Sequence, residues 1–153
     1  MSEKRDKRGE SWRILGVDFG QRRIGLAVSD PLRMTAQGLP TVNVTNETEA
    51  LSAVVKIARE YDVSEIVIGL PLRLDGTQGE GALQVLSLAD SLRESLSIRV
   101  VVWDERLSSV EARRILIEAG EKTGTKKGRV DRIAATILLQ SYLDRKGMSR
   151  EDK

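Results

Sequence analysis

The chain contains no cysteine and no histidine, and these two absences narrow its chemistry before any motif is read. Without thiols there are no disulfides and no thiolate zinc sites. Without imidazole there is no Ser-His-Asp triad, no Cys-His pair and no histidine general base. Any metal must sit among oxygens, a donor set that suits Mg²⁺ or Mn²⁺. Aromatic residues are scarce, at 3%. Extensive stacking on bases is therefore not expected, and recognition of a nucleic acid would rest on shape and phosphates. No apolar run approaches the roughly 20 residues of a membrane span. Residues 1–11 are charged and lack the apolar core of a secretory signal. The expectation is a cytoplasmic protein with no membrane association.

What is present fits one α/β domain. The 153 residues are 40% hydrophobic and 31% charged, with a net charge of +2, so the placement of positive charge matters more than its total. Residues 1–12, with Lys4, Arg5, Lys7 and Arg8, read as a disordered basic arm. Residues 13–145 read as a single domain and 146–153 as a flexible tail.

Within the domain, 13–19 is a short apolar run and 20–22 a turn. Residues 23–29 then place Ile24, Leu26 and Val28 on one face, the pattern of a β-hairpin. Residues 39–44 predict a third strand. Asn46, with Glu49 three residues on, marks a helix start by a capping box, and Leu51, Val54, Val55 and Ala58 stripe that helix. Residues 65–69 (EIVIG) are apolar enough for a strand buried on both faces.

A loop over 70–79 leads into a helix striped by Ala82, Val85, Leu86, Ala89 and Leu92, and 99–103 (RVVVW) predicts a second buried strand. Ser108 and Glu111 cap a further helix that stops at Gly120. After a polar loop to Gly128, a last helix carries Val130, Ile133, Ala134, Ile137 and Leu138 on one side. This order predicts a mixed five-stranded sheet flanked by helices. Its first three strands are antiparallel, and the later ones are parallel with crossover helices.

In open α/β sheets ligands bind beyond the carboxyl ends of the strands. Three such ends stand out: Asp18, Gly69, and the pair Asp104 and Glu105. A carboxylate in an apolar strand is costly to bury unless it is paired or bound to metal. Each acid also has a plainer reading. Asp18 can bond the backbone of the turn near Gly20, Asp104 and Glu105 can be a solvated acid and an ion-pair partner of Arg106, and Asp131 can serve a helix dipole. What favours a site is convergence, since two strand-end acids and a helix-start acid can gather around one cation. Two-metal phosphodiester hydrolysis needs this kind of carboxylate set and no histidine, with cations about 3.5–4 Å apart. Alternation along a strand puts Asp104 and Glu105 on opposite faces, so only one would reach such a site.

Positive charge lies nearby in sequence. Arg22, Arg23, Arg73 and Arg106 flank the strand ends, while Lys122, Lys126, Lys127, Arg129 and Arg132 surround the loop before Asp131. A phosphate grip and a solvated charge run both account for the second group. Gly69-Leu70-Pro71 and Asp75-Gly76 would let a backbone approach a phosphate, or simply turn the chain.

Taken in order, these segments resemble a known family. Gly16-Val17-Asp18-Phe19-Gly20 followed by Arg23 through Asp30 (RIGLAVSD) is similar to the opening signature of the YqgF family, described both as Holliday junction resolvases and as pre-16S rRNA nucleases. The likeness continues in Gly69-Leu70-Pro71, Asp75-Gly76, Asp104 through Ser108 (DERLS), and Lys126 through Asp131 (KKGRVD) with Ala134-Ala135. Ser108 stands where the family often has threonine, a mild change because both hydroxyls cap a helix. The resemblance implies a ribonuclease H-like fold whose metal-binding, catalytic carboxylates are Asp18, Glu105 and Asp131, with Asp104 the rival of Glu105. It implies a nucleic acid partner, either structured RNA or branched DNA, and Mg²⁺ or Mn²⁺ as cofactor. The activities it implies are trimming the 5′ end of precursor 16S rRNA or resolving four-way DNA. Symmetric resolution needs two active sites and hence a dimer, but no long exposed apolar stripe advertises one, so a monomer or weak homodimer is expected. Asp18-x-Gly20 with Gly25 also resembles the phosphate loop of sugar kinases and actin-like ATPases, but those folds need two such domains and 153 residues provide one; a non-catalytic binding module is a further alternative.

Overall fold

In the computed structural model the described residues are 13–20, 22–73, 75–107 and 127–151, with side chains in the last segment described from Val130 to Gly147. The expected helix between Ser108 and Gly120 and the basic residues Lys122 and Lys126 lie outside them.

Strand β1 (Ile14–Phe19) turns through Gly20, whose N–H donates to the Arg23 carbonyl at 2.9 Å, into β2 (Arg23–Ser29). Strand β3 (Ala36–Asn43) pairs antiparallel with β2, while β4 (Glu65–Leu70) and β5 (Arg99–Asp104) add parallel strands on the other side of β1. The order is β3-β2-β1-β4-β5, the expected mixed five-stranded sheet. Helices α1 (Glu47–Glu60) and α2 (Glu80–Ser95) cover one face. The third described helix, α3 (Lys127–Glu151), covers the other.

Side-chain alternation sorts the strands between these layers. Leu15, Val17, Ile24, Leu26, Ile66 and Ile68 pack with Val54, Val85 and Leu88 under α1 and α2. Ile14, Ala27 and Val67 pack instead with Ala135, Leu139 and Tyr142 of α3. The three inner strands are therefore buried on both faces.

Several boundaries and stripes differ from expectation. Strand β3 starts at Ala36 rather than 39, because its pairing with β2 and not its own residues holds Ala36 and Gly38 in place. An added Cβ at Gly38 would come within 2.8 Å of Arg132 and Thr136 side-chain atoms, so the lack of bulk there seats α3. Strand β5 is an edge strand in which Val100 is buried and residues 101–104 are only half-buried. On α2, Leu88 and not Leu86 completes the buried stripe. On α3 the sheet-facing side includes Ala135, Leu139, Tyr142 and Leu143, leaving Ile133 and Ile137 half-buried. The helical backbone of α3 continues through Glu151, beyond Tyr142 and Leu143, which pack on the sheet.

The predicted start of α1 is observed with one change. Asn46 Oδ1 accepts from the Glu49 N–H at 2.8 Å, but Glu49 Oε1 reaches back to the N–H of Thr45, not of Asn46. Loss of the cap in Asn46→Ala is expected to lower stability by about 1 kcal/mol, read from urea unfolding.

At the amino end of β4, Glu65 is 3% exposed. It accepts a hydrogen bond from the Tyr142 hydroxyl and one from Lys146 at 3.4 Å, with Arg33 and Arg99 each 3.9 Å away. Burial, and then the Glu65 carboxylate, push the Tyr142 phenol well above its ordinary range. A pKa raised by folding gives stability that is full below the unfolded value of about 10 and is lost as pH climbs toward the folded one. Tyr142→Phe is expected to lower stability by about 2 kcal/mol at neutral pH, because a buried carboxylate loses one of its donors. In urea unfolding followed from pH 7 to 11, the variant should also lack this alkaline loss.

Candidate active site

The two layers decide which strand-end acids meet. Gly16 lies against Leu139 of α3, so Asp18, two residues on, faces α3 as well; it is 3% exposed. On β5, Trp103 sits opposite Gly69 in the ladder and packs edge-on against Tyr142, with ring centroids 5.7 Å apart. Trp103 is therefore on the α3 side and Asp104 on the far side. The chain then enters a single 3₁₀ turn, Glu105–Leu107, which swings Glu105 back to the α3 side over Gly69. An added Cβ at Gly69 would lie 3.0–3.2 Å from the Glu105 carboxyl end. Glu105 is 2% exposed. Asp18 and Glu105 are thus both buried on one face at the carboxyl ends of β1 and β5.

Asp104 is otherwise engaged. Its carboxylate accepts from Arg106 Nη2 at 2.8 Å, from Arg106 Nε at 3.1 Å and from the Arg106 N–H at 2.9 Å. The side-chain bond to Arg106 holds it below the usual carboxylate range, against the opposing effect of desolvation. This clasp turns Asp104 toward Arg106 and away from Asp18.

Asp131 reaches the same region from α3. Its carbonyl oxygen lies directly over Gly25, where an added Cβ would be only 2.1 Å from it, and Gly25 is the ladder partner of Asp18. Its carboxylate accepts from Arg23 Nε at 2.6 Å. Among the described residues no three acids stand together closely enough to hold one cation. The structure brings Asp18 and Glu105 to one face and the Asp131 backbone to the neighbouring strand, while the Asp131 carboxylate is bonded to Arg23. The Arg23–Asp131 pair was not anticipated, although a glycine inside strand β2 is a recognised sign of close backbone approach.

The remaining basic residues are dispersed around this end of the sheet. Arg22 is exposed before β2. Arg73 lies in a small hairpin whose Leu72 bridges Gln78 and whose turn uses a left-handed Gly76 (φ 88°), a conformation glycine adopts without strain. Asp75 caps that turn by accepting from the N–H and hydroxyl of Thr77, which lowers its pKa. The guanidinium of Arg106 would lie 3.6 Å from a Cβ placed on Gly76, so Arg106 reaches from the end of β5 to the hairpin. Lys127 and Arg129 lie in the first turn of α3, and their side chains are outside the described set, as is Lys126.

Residues 12–145 match the family model of RuvX, Holliday junction resolvase. A Clostridium botulinum protein named "Putative pre-16S rRNA nuclease" is 46% identical over 132 residues, covering 86% of this chain and 96% of that one. A Koribacter versatilis protein of the same name is 45% identical over 141 residues, covering 92% of each. Among solved structures, RuvC of T. thermophilus in complex with a Holliday junction substrate superposes with a TM-score of 0.56 at 15% identity, over 88% of this chain and 96% of that one. The fowlpox virus resolvase in complex with Holliday junction DNA gives 0.52 at 14% identity, over 87% and 97%. At such low identity these two likenesses speak to the fold, which is RuvC-like and hence ribonuclease H-like. The sequence matches go further: this chain belongs to the RuvX (YqgF) family of Holliday junction resolvases.

Proposed function

We propose that the protein is a divalent-metal nuclease that hydrolyses phosphodiester bonds at the 5′ end of precursor 16S rRNA in the cytoplasm, as a monomer or weak homodimer. The observation that carries this reading is the burial of Asp18 and Glu105 together at the carboxyl ends of β1 and β5. Carboxylates buried on one face lose hydration, and a hard cation is well served by such oxygen donors. Asp18 and Glu105 would hold it, with Asp131 as third ligand and Asp104 kept out by Arg106. A divalent cation bound there supplies Lewis-acid stabilisation of charge building on the phosphoryl oxygens. Arg22, Arg23, Arg73 and Arg106, with Lys126, Lys127 and Arg129, supply phosphate contacts that position the strand without reading its sequence. The rRNA substrate is favoured by the names of relatives near 46% identity. The family description favours junction DNA as the second reading.

The test is cleavage of precursor 16S rRNA and of a four-way DNA junction, each with Mg²⁺ or Mn²⁺ and each against a chelator control. Metal-dependent cleavage of the RNA alone is expected. Cleavage of the junction alone would transfer the assignment to resolution, and binding of either without cleavage would make the chain a non-catalytic module.

A further inference from the structure

We infer that Arg23 is a positioning residue that holds the Asp131 carboxylate away from the metal site until a substrate phosphate draws it off. The inference deepens the proposed nuclease reading and rests on it.

Three observations support the inference. The first is that the backbone of Asp131 is seated directly on β2, its carbonyl standing over Gly25 in space that a single methyl group would overfill. Side-chain rotation moves the carboxylate without disturbing that packing. The second is that Gly25 is paired with Asp18, and paired antiparallel residues have Cα atoms about 5 Å apart, so Asp131 stands within side-chain reach of the Asp18 and Glu105 face. The third is that its carboxylate is nevertheless bonded to Arg23 Nε at 2.6 Å, with the arginine side chain 31% exposed and the aspartate 16%.

The pair thus lies at the border of solvent, where the partly exposed Arg23 side chain can meet an anion. A phosphodiester group arriving there offers Arg23 an alternative acceptor of the same charge and geometry. When Arg23 turns to the phosphate, Asp131 is released toward the buried acids. Metal binding and nucleic acid binding are then coupled, each strengthening the other by the same factor.

The coupling can be read without any turnover. Mn²⁺ affinity is measured by electron paramagnetic resonance of free Mn²⁺ for the full chain and for Arg23→Ala, Arg23→Lys, Asp131→Asn, Asp18→Asn and Arg23→Ala/Asp131→Asn. Each is measured alone and with a 2′-O-methyl RNA oligonucleotide that resists hydrolysis. Arg23→Ala is expected to bind Mn²⁺ about three- to tenfold more tightly than the native chain, the worth of one charged hydrogen bond near the surface. That gain should vanish in the Asp131→Asn background, and Arg23→Lys should fall between. The oligonucleotide should tighten Mn²⁺ binding to the native chain but not to Arg23→Ala.

An Mn²⁺ site that Asp18→Asn weakens, yet that is unchanged by Arg23→Ala, would overturn the Arg23 inference and leave the metal site standing. Mn²⁺ binding that ignores Asp18→Asn, or none in any variant, would overturn the metal reading and this inference with it. Melting followed by circular dichroism verifies that each variant is folded. If Arg23→Ala is not, the same outcomes are read from Arg23→Lys.

Discussion

Asp18→Asn is expected to reduce cleavage by about a thousandfold, since a bound cation contributes several kcal/mol of transition-state stabilisation and each 1.36 kcal/mol is a factor of ten. The substitution keeps the size and one acceptor oxygen of a residue that is 3% exposed, so the sheet should form as before. Single-turnover cleavage and thermal unfolding, each with and without Mg²⁺, separate these effects. The native chain should be stabilised by Mg²⁺ through linkage, and the variant should not. A variant that cleaves at the native rate, or that keeps the full Mg²⁺ stabilisation, would remove Asp18 from the metal site.

Gly25→Ala should damage the fold and the site together. The added methyl would fall 2.1 Å from the Asp131 carbonyl oxygen and 2.7 Å from its carbon. Because these are backbone atoms at the start of α3, the helix must lift or β2 must bend. A loss of about 3 kcal/mol is expected, the upper part of the usual range for overpacking. Mn²⁺ affinity should fall too, as Asp131 moves away from Asp18.

Gly38→Ala is the control, since its methyl meets side-chain atoms of Arg132 and Thr136 that can rotate aside. Its cost should stay near 1 kcal/mol. Urea unfolding of the two variants checks the ranking. Equal costs would mean that the contact between Asp131 and β2 is not a close one.

Local signals were legible wherever a short segment carries its own instructions. The β1–β2 hairpin is written in two apolar runs around Gly20, and β2 has the boundaries expected of it. The strand at Glu65–Leu70 is apolar along its length because both its faces are covered, and Asn46 marks the start of α1 through a bond to its own third neighbour. Signals were weak where structure is imposed from outside. Strand β3 begins at Ala36 because β2 pairs with it and α3 needs the space above Gly38. On α2, a stripe drawn from spacing alone could not separate Leu86 from Leu88.

The site divides in the same way. The sequence by itself restricted any metal site to oxygen donors. With no histidine and no cysteine, only oxygen ligands were available, and the strand-end positions of Asp18 and of Asp104 with Glu105 follow from local pattern. It also determined that only one of the last two could face Asp18, because alternation is a property of any extended chain. Only the tertiary structure decided which one. Trp103 takes the α3 face against Tyr142, Arg106 clasps Asp104 on the other, and the 3₁₀ turn returns Glu105 over Gly69. It alone showed that Asp131, 108 residues from Arg23, is held by that arginine. Such a pairing depends on α3 docking across β2, and no local preference encodes a contact between groups so distant along the chain.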